Sequence, residues 1–428
     1  MARTARTLAL QALVALERGR SERLRSELEV RGMDPRERAL ASELAHGVLR
    51  RQRLLDHVLL GYAKRGLPKD PQQRVALRLG AYQLLFLPSI KAHAAVHETV
   101  GLVVRNNRGF ANAVLRRVAD SVKNRTATAD ELTLPDDRAV KLVNALPSDE
   151  VARLAIVHSL PDWLAKRFAA EHGIEGLRTI AEAASVAPGI YLRASQGIDA
   201  ATLQADLQQA EVETTTTDHP RLLRWTGGAS PFATEAFEAG HFVVQDPTAM
   251  RAAEAVPCEP GDTIIDLCAA PGTKTTLLAE RVQPNGKVLA HDIDPKRLAR
   301  ITDNATRLNL TDHIQLVPDA TDLPQADCVL ADVPCSNTGV LGRRVEARYR
   351  LDPATFEDLP KVQSQILTDA IRLTRPGGHI VYSTCSIDRE ENEAIIAAHP
   401  TLELLTSHLT LPVANHHDGG FAATLRRR

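Results

Sequence analysis

The stretch "DTIIDLCAAPGTKTTLLAERV", residues 262–282, decides the fold. It opens on a short apolar run ending at Asp266, passes through small residues and a proline, and resumes with apolar residues at helical spacing. That order is strand, tight turn, helix, the repeating half of a parallel sheet. The turn holds Cys268, Ala269, Ala270, Pro271, Gly272, Thr273 and Lys274. Residues as small as Ala269, Ala270 and Gly272 let a ligand approach the backbone. The helix start behind them offers free N–H groups to an anion such as a carboxylate. The phosphate-loop pattern GxxxxGK[ST] is absent. An ordinary tight turn between strand and helix would also be built from such residues.

The same rhythm continues toward the C-terminus. "GKVLAHDI" (286–293), "HIQLVPDA" (313–320), "ADCVLADV" (326–333) and "GGHIVYSTCS" (377–386) read as strands. "PKRLARITDNATRLNL" (295–310), "LPKVQSQILTDAIRLT" (359–374) and "DREENEAIIAAHP" (388–400) read as helices. Such alternation predicts a mostly parallel sheet with helices on both faces, whose ligands sit beyond the carboxyl ends of the strands. Three acids are expected at those ends. Asp292 suits a pair of ribose hydroxyls, although Asp294 fits the cap of the following helix better. Asp319 suits an amino group of adenine. Asp332 stands two positions before the Pro334–Cys335 pair. In a 3-2-1-4-5 sheet the fourth and fifth strands are neighbours. Cys335 and Cys385 then converge beside Asp332 and the small-residue loop. Cys258, Cys268 and Cys328 are adequately explained as small buried hydrophobes. No pair has CxxC spacing, so neither a zinc ribbon nor a disulfide framework is expected. His93 and His97 lack an evident third ligand, and no metal is expected.

The front of the chain is different. Residues 1–125 repeat apolar residues at three and four, with a break near Asn106–Gly109, and predict an all-α domain. They hold 24 Lys and Arg against 11 Asp and Glu; the remaining residues hold 28 against 42. A surplus of 13 positive charges in front of an acidic remainder implies a polyanion partner, though a solvated arginine-rich surface would have the same composition. Residues 126–149 are polar and punctuated by proline, as a linker is. Residues 150–239 read as a small α+β subdomain, and 240–428 as the sheet domain. No apolar run reaches the roughly 18 residues that span a membrane. The first residues read as an amphipathic helix rather than a signal peptide. Free thiols and no export signal imply the cytoplasm.

Three motifs, "DLCAAPGTKT", "LADVPCSNTG" and "YSTCSIDREENE", resemble those of the NOL1/NOP2/Sun family of SAM-dependent RNA 5-methylcytosine methyltransferases. "GHFVVQDPTAM" (240–250) is similar to the strip before that family's SAM domain. "LRLGAYQLLFL" and "FANAVLRRV" resemble the NusB-like RNA-binding domain of the bacterial members that act on 16S ribosomal RNA. The resemblance implies a NusB-like domain, a small α+β region and a Rossmann-like methyltransferase domain. It implies SAM as cofactor and RNA as partner; the strand-end residues Cys268–Lys274, Asp292, Asp319 and Asp332 are those expected to hold SAM, and with no obligate protein partner evident a monomer is expected. The resemblance makes Cys385 the nucleophile that adds to carbon 6 of cytosine and Cys335 a participant in product release; that addition needs charge relieved at ring nitrogen 3, a task for a protonated carboxyl held close, and Asp332 is the candidate. The chemistry of the two thiols does not by itself separate them. Lys274 is expected to contact the SAM carboxylate or the base. Two departures stand out. Thr273 takes the place of the second glycine of the usual APGGK, and a positive φ there would strain it. "VLGRRVEARYR" (340–350) differs from the usual substrate loop. Two alternatives remain: methylation of tRNA or another RNA, and a non-enzymatic RNA-binding assembly factor with a decayed SAM pocket.

Overall fold

Asp34 and Asp70 each precede a proline, and each starts a helix of the front half. Asp34 accepts from the backbone N–H groups of Arg36 and Glu37, and Asp70 from that of Gln73. The proline occupies a first-turn position where no N–H is needed. The helices begun this way are Pro35–Tyr62 and Pro71–Phe86. The structure is a computed structural model and describes residues 4–21, 23–29, 32–128 and 131–428. It divides the chain into two compact units, Met1–Val186 with Arg348–Arg350, and Ala187–Ala347 with Leu351–Arg428.

In the first unit, helix Pro71–Phe86 is buried continuously from Val75 to Leu85, with helices Ala5–Glu17, Pro35–Tyr62, Ala92–Leu102 and Arg108–Ser121 around it. Arg78 on the buried helix donates to both carboxylate oxygens of Asp56 at 2.7 Å, so its charge enters the core paired. Most other described Lys and Arg side chains of this region are exposed, Arg116 and Arg117 among them. The break expected near 106–109 is a short 3-10 turn, Arg105–Asn107.

Two boundaries differ from those the sequence suggests. The stretch that reads as a linker contains strands: β1 (Val122–Lys123), β2 (Glu131–Thr133) and β3 (Ala139–Lys141) form a small antiparallel sheet in the order β1-β3-β2. Strands of two or three residues are too short to show an alternating pattern, and only Ala139 and Val140 of them are buried. Helices Glu150–Val157 and Asp162–Ala184, the second bent at Gly173, lie in the first unit rather than with the strands that follow them. Ser159 between them accepts from the backbone N–H groups of Arg53 and Leu54 at 3.1 and 3.3 Å, and Arg53 pairs with Asp162.

The second unit begins with β4 (Ile190–Ala194), β5 (Val212–Thr216), β6 (Leu222–Gly228) and β7 (Phe242–Val244), an antiparallel sheet in the order β5-β6-β4-β7. Leu203 and Leu207 of helix Ala200–Gln209 pack on it. The larger sheet comprises β8 (Thr263–Asp266), β9 (Lys287–Ala290), β10 (Ile314–Leu316), β11 (Ala326–Asp332), β12 (Thr374–Thr384), β13 (Leu402–Thr410) and β14 (Gly420–Arg427). Its order is β10-β9-β8-β11-β12-β14-β13. The first five strands are parallel and stand in the 3-2-1-4-5 order expected, and β14 runs antiparallel between β12 and β13. Leu278 and Val282 of helix Thr273–Val282 cover Ile264 and Val288 on one face. Leu367 and Leu373 of helix Thr355–Leu373 cover Ile265 and Val329 on the other. Coverage on both faces explains why the central strands are apolar without alternation. The domain is therefore a Rossmann-like α/β fold. Among the described residues no helix is long and apolar enough to cross a membrane.

Candidate active site

The carboxyl ends of β8, β9, β11 and β12 come together in register. Leu330 of β11 pairs with Asp266 of β8, and Asp332 of β11 pairs with Ser383 of β12. The loop after β8 turns at Gly272, whose φ is 101°, and helix Thr273–Val282 starts on the next residue. Positive φ thus falls on Gly272, and the strain considered for Thr273 does not arise, because Thr273 is already helical. A Cβ at Gly272 would also stand 3.1 Å from Ile301.

Asp292, two residues past β9, is buried, and its carboxylate accepts from the N–H groups of Ala270 at 3.2 Å and Asp294 at 3.0 Å. Arg297 lies 3.6 Å from it and donates to the Ala270 carbonyl. Asp294 caps helix Pro295–Leu298, as expected. Asp319 lies three residues beyond β10, not at its end; it is exposed and accepts from both the N–H and the hydroxyl of Thr321. Those bonds hold its carboxyl below the ordinary value. Two residues not singled out from the sequence join this end of the sheet. Ile293, beside Asp292, is 91% exposed, unusual for an isoleucine. Asp266 is buried; its Oδ2 accepts from Thr275 at 2.7 Å, and its Oδ1 has no hydrogen-bond partner among the described residues. Burial pushes its carboxyl up to about 7. A ligand bearing an ammonium, a carboxylate, a vicinal diol and a flat apolar ring system would find an answering group for each.

At β11 and β12, Asp332 accepts from Lys274 Nζ at 2.5 Å and from the Ser383 hydroxyl at 2.8 Å. Burial works against the charge on Lys274, but Asp332 more than offsets it, and the ammonium is held above its ordinary value. The Cys335 and Cys385 sulfurs lie 3.0 Å apart. The bond from Cys335 holds the Cys385 thiol below its ordinary value against burial, with help from Arg344 and Lys274. Cys335 is held well above, by that same bond, by burial and by the charge of Glu391. Cys385 is thus the thiol held lower and Cys335 the one held higher, while either sulfur can be the donor in the bond between them, and the lower thiol more readily gives the reactive thiolate. Asn337 Oδ1, 3.4 Å from the Cys385 sulfur, also accepts from Arg344 at 2.7 Å. By contrast, burial raises the thiols of Cys258, Cys268 and Cys328, the last up to about 12.

Residues 253–426 match the sequence profile of the family described as 16S rRNA methyltransferase RsmB/F, and residues 3–120 that of the NusB family. The chain is 31% identical to the probable ribosomal RNA small subunit methyltransferase B of Bacillus subtilis over 420 residues, 93% of this chain and 89% of that one. It is 32% identical to the ribosomal RNA small subunit methyltransferase B of Klebsiella pneumoniae over 450 residues, 99% of this chain and 98% of that one. Among solved structures, PH0851 superposes with a TM-score of 0.75 at 22% identity over the whole of both chains. NSun6 from Pyrococcus horikoshii with SFG superposes with a TM-score of 0.57 at 21% identity, over 62% of this chain and 98% of that one. At those identities the structural likeness speaks to the fold.

Proposed function

The chain belongs to the RsmB/F family of 16S rRNA methyltransferases, and on that footing we propose that it methylates carbon 5 of a cytosine in 16S rRNA through a covalent bond between Cys385 and the base. The observation that carries the reading is the thiol pair at 3.0 Å beside the Lys274–Asp332 ion pair. In this reading the basic helices of residues 1–125 bind RNA, the antiparallel sheet β4–β7 forms an RNA-contact subdomain and the larger sheet β8–β14 carries the chemistry.

The residues around β8 and β9 fit SAM. Asp266 Oδ1, a buried acceptor with no hydrogen-bond partner among the described residues, suits the ammonium. The helix start at Gly272–Lys274 suits the carboxylate. The lone pairs that Asp292 keeps free suit the ribose hydroxyls. Exposed Ile293 suits a face of the adenine, and Asp319 its amino group. SAM supplies a methyl group on a sulfonium centre that departs neutral.

Carbon 5 of cytosine is a poor nucleophile until a thiolate adds to carbon 6. Cys385, with its lowered thiol, makes that addition, and the electrons of the 5,6 double bond move into the ring toward nitrogen 3. Lys274 and Asp332 answer the charge that develops there. The sequence suggests Asp332 as the proton donor, but both its oxygens accept hydrogen bonds, so the proton for nitrogen 3 is better drawn from Lys274, with Asp332 orienting the ammonium. Carbon 5 then takes the methyl group. Loss of the carbon 5 proton to a base restores the double bond and expels Cys385, and the nitrogen 3 proton returns to Lys274. Cys335, the titratable group hydrogen-bonded to that sulfur, is placed to serve the release.

Bisulfite sequencing of RNA from cells with and without the gene tests the reading. One 16S cytosine should resist conversion only when the gene is present. A gene-dependent cytosine in another RNA would move the substrate class, and none anywhere would favour the assembly factor.

A further inference from the structure

A serine follows each active-site thiol, Ser336 after Cys335 and Ser386 after Cys385. Both hydroxyls donate to one oxygen, Oε2 of Glu391. The other oxygen accepts from the Ser336 N–H at 2.9 Å and from Gln363 Nε2 at 2.8 Å. Gln363 Nε2 also reaches the Pro334 carbonyl at 3.0 Å, and the Tyr382 hydroxyl fixes the Glu391 carbonyl at 2.6 Å. Glu391 is fully buried, and among the described residues no Lys, Arg or His pairs with it. A buried carboxylate answered only by neutral donors costs more free energy than a buried apolar side chain. Its four donors converge from the Cys335 loop, the Cys385 loop and helix Thr355–Leu373, and the chemistry derived above does not use it.

We propose that Glu391 is a positioning residue that fixes the separation of the two active-site thiols, by tying the residue after each to one carboxylate oxygen, so that the Cys335 and Cys385 sulfurs are held within hydrogen-bond distance of one another. Its charge acts in the same direction, since it keeps the Cys335 proton in place. A second set of bonds joins the same loops independently. Thr338 donates to Asp388 at 2.5 Å, and the N–H of Ile387 donates to Thr338 at 3.1 Å. The N–H of Gly339 donates to the Cys385 carbonyl at 2.9 Å, at an approach where a Cβ on Gly339 would stand 2.8 Å from that oxygen. These bonds keep the loops joined when Glu391 is replaced. What its loss should change is the distance from Cys335 to Cys385, and with it the ionisation of Cys385. The other groups facing that sulfur, Arg344, Asp332 and Lys274, remain.

The proposal rests on the reading of Cys385 as the nucleophile, but its test reads the thiol rather than methyl transfer. The pH profile of Cys385 alkylation by iodoacetamide is measured by peptide mass spectrometry on the full chain, for wild type, E391A, E391Q and the double variant S336A/S386A. In E391A the midpoint should rise by about one pH unit, because the Cys335 sulfur is no longer held against that of Cys385. The serine pair should reproduce that rise. E391Q should fall between, because the hydroxyls can turn to accept from its amide. SAM affinity should stay within about twofold, while kcat falls about tenfold with KM for RNA unmoved. An unmoved midpoint in E391Q and S336A/S386A overturns the proposal even if E391A fails to fold. So does a shift matched by an equal loss of SAM binding, which marks general loosening. A shifted midpoint in a protein that methylates no RNA leaves the clamp standing and removes the functional reading instead.

Discussion

Replacing Asp292 with alanine should weaken SAM by roughly 100-fold. The carboxylate accepts from Ala270 and Asp294 through one oxygen each, leaving further lone pairs for the ribose. A hydrogen bond to a charged group contributes about 1.5–3 kcal/mol, so losing two at the lower end costs about 3 kcal/mol, roughly two powers of ten in Kd. The free protein should also soften, because the buried N–H of Ala270 and the partly buried N–H of Asp294 lose their acceptor, at about 1 kcal/mol each. At about 2–4 °C per kcal/mol for a domain of this size, a fall of several degrees in Tm is expected. Asp292→Asn keeps one acceptor oxygen and should lose only about tenfold. Calorimetric titration with SAM gives Kd, and a thermal melt confirms that each variant folds. An Asp292→Ala protein that melts cooperatively and binds SAM within threefold of wild type, about 0.7 kcal/mol, would refute the assignment.

Gly272→Ala should lower both Tm and SAM affinity, since it forces a side chain into positive φ and against Ile301, whereas Thr273→Gly should leave SAM affinity within about threefold and cost about 0.5 kcal/mol of helix propensity. Asp266 has its carboxyl raised to about 7, against about 3.9 unfolded, so the folded protein binds the extra proton. Its contribution to stability is complete below about pH 4 and is lost as pH rises toward 7. Tm against pH should therefore slope downward over that range in the free protein, less so with SAM bound, and flatten in Asp266→Asn. Binding of 16S rRNA fragments should weaken steeply with salt, with a logarithmic slope of about −0.7 to −0.9 per phosphate neutralised, and deleting residues 1–125 should reduce that slope while sparing SAM affinity.

The five parallel strands were legible because they are short apolar runs with an acid or other polar residue at their end or within three residues of it, and their order follows from the alternation with helices. The convergence of Asp332, Cys335 and Cys385 followed from that order. What escaped did so for physical reasons. β5 consists of Val212, a glutamate and threonines with mostly exposed side chains, so no buried face marks it. β13 is an antiparallel edge strand with a largely exposed middle, outside the strand–helix rhythm. Glu391 sits in "DREENE", the start of a predicted helix in which five of six residues are charged and none is marked out for burial, yet the chain folds it fully inward. The partner of Lys274 was equally hidden, since it depends on the first turn of a helix and the end of a strand, 58 residues apart, meeting side by side.

The central claim is that two adjacent thiols do different jobs, Cys385 making the bond to the base and Cys335 serving its release. Cys335→Ala and Cys385→Ala proteins, each incubated with 16S rRNA and SAM, are compared by denaturing electrophoresis. Cys335→Ala should accumulate a covalent protein–RNA adduct, since addition and methyl transfer proceed but release stalls. Cys385→Ala should form none and leave the RNA unmethylated. An adduct in Cys385→Ala and none in Cys335→Ala would reverse the roles and contradict the account.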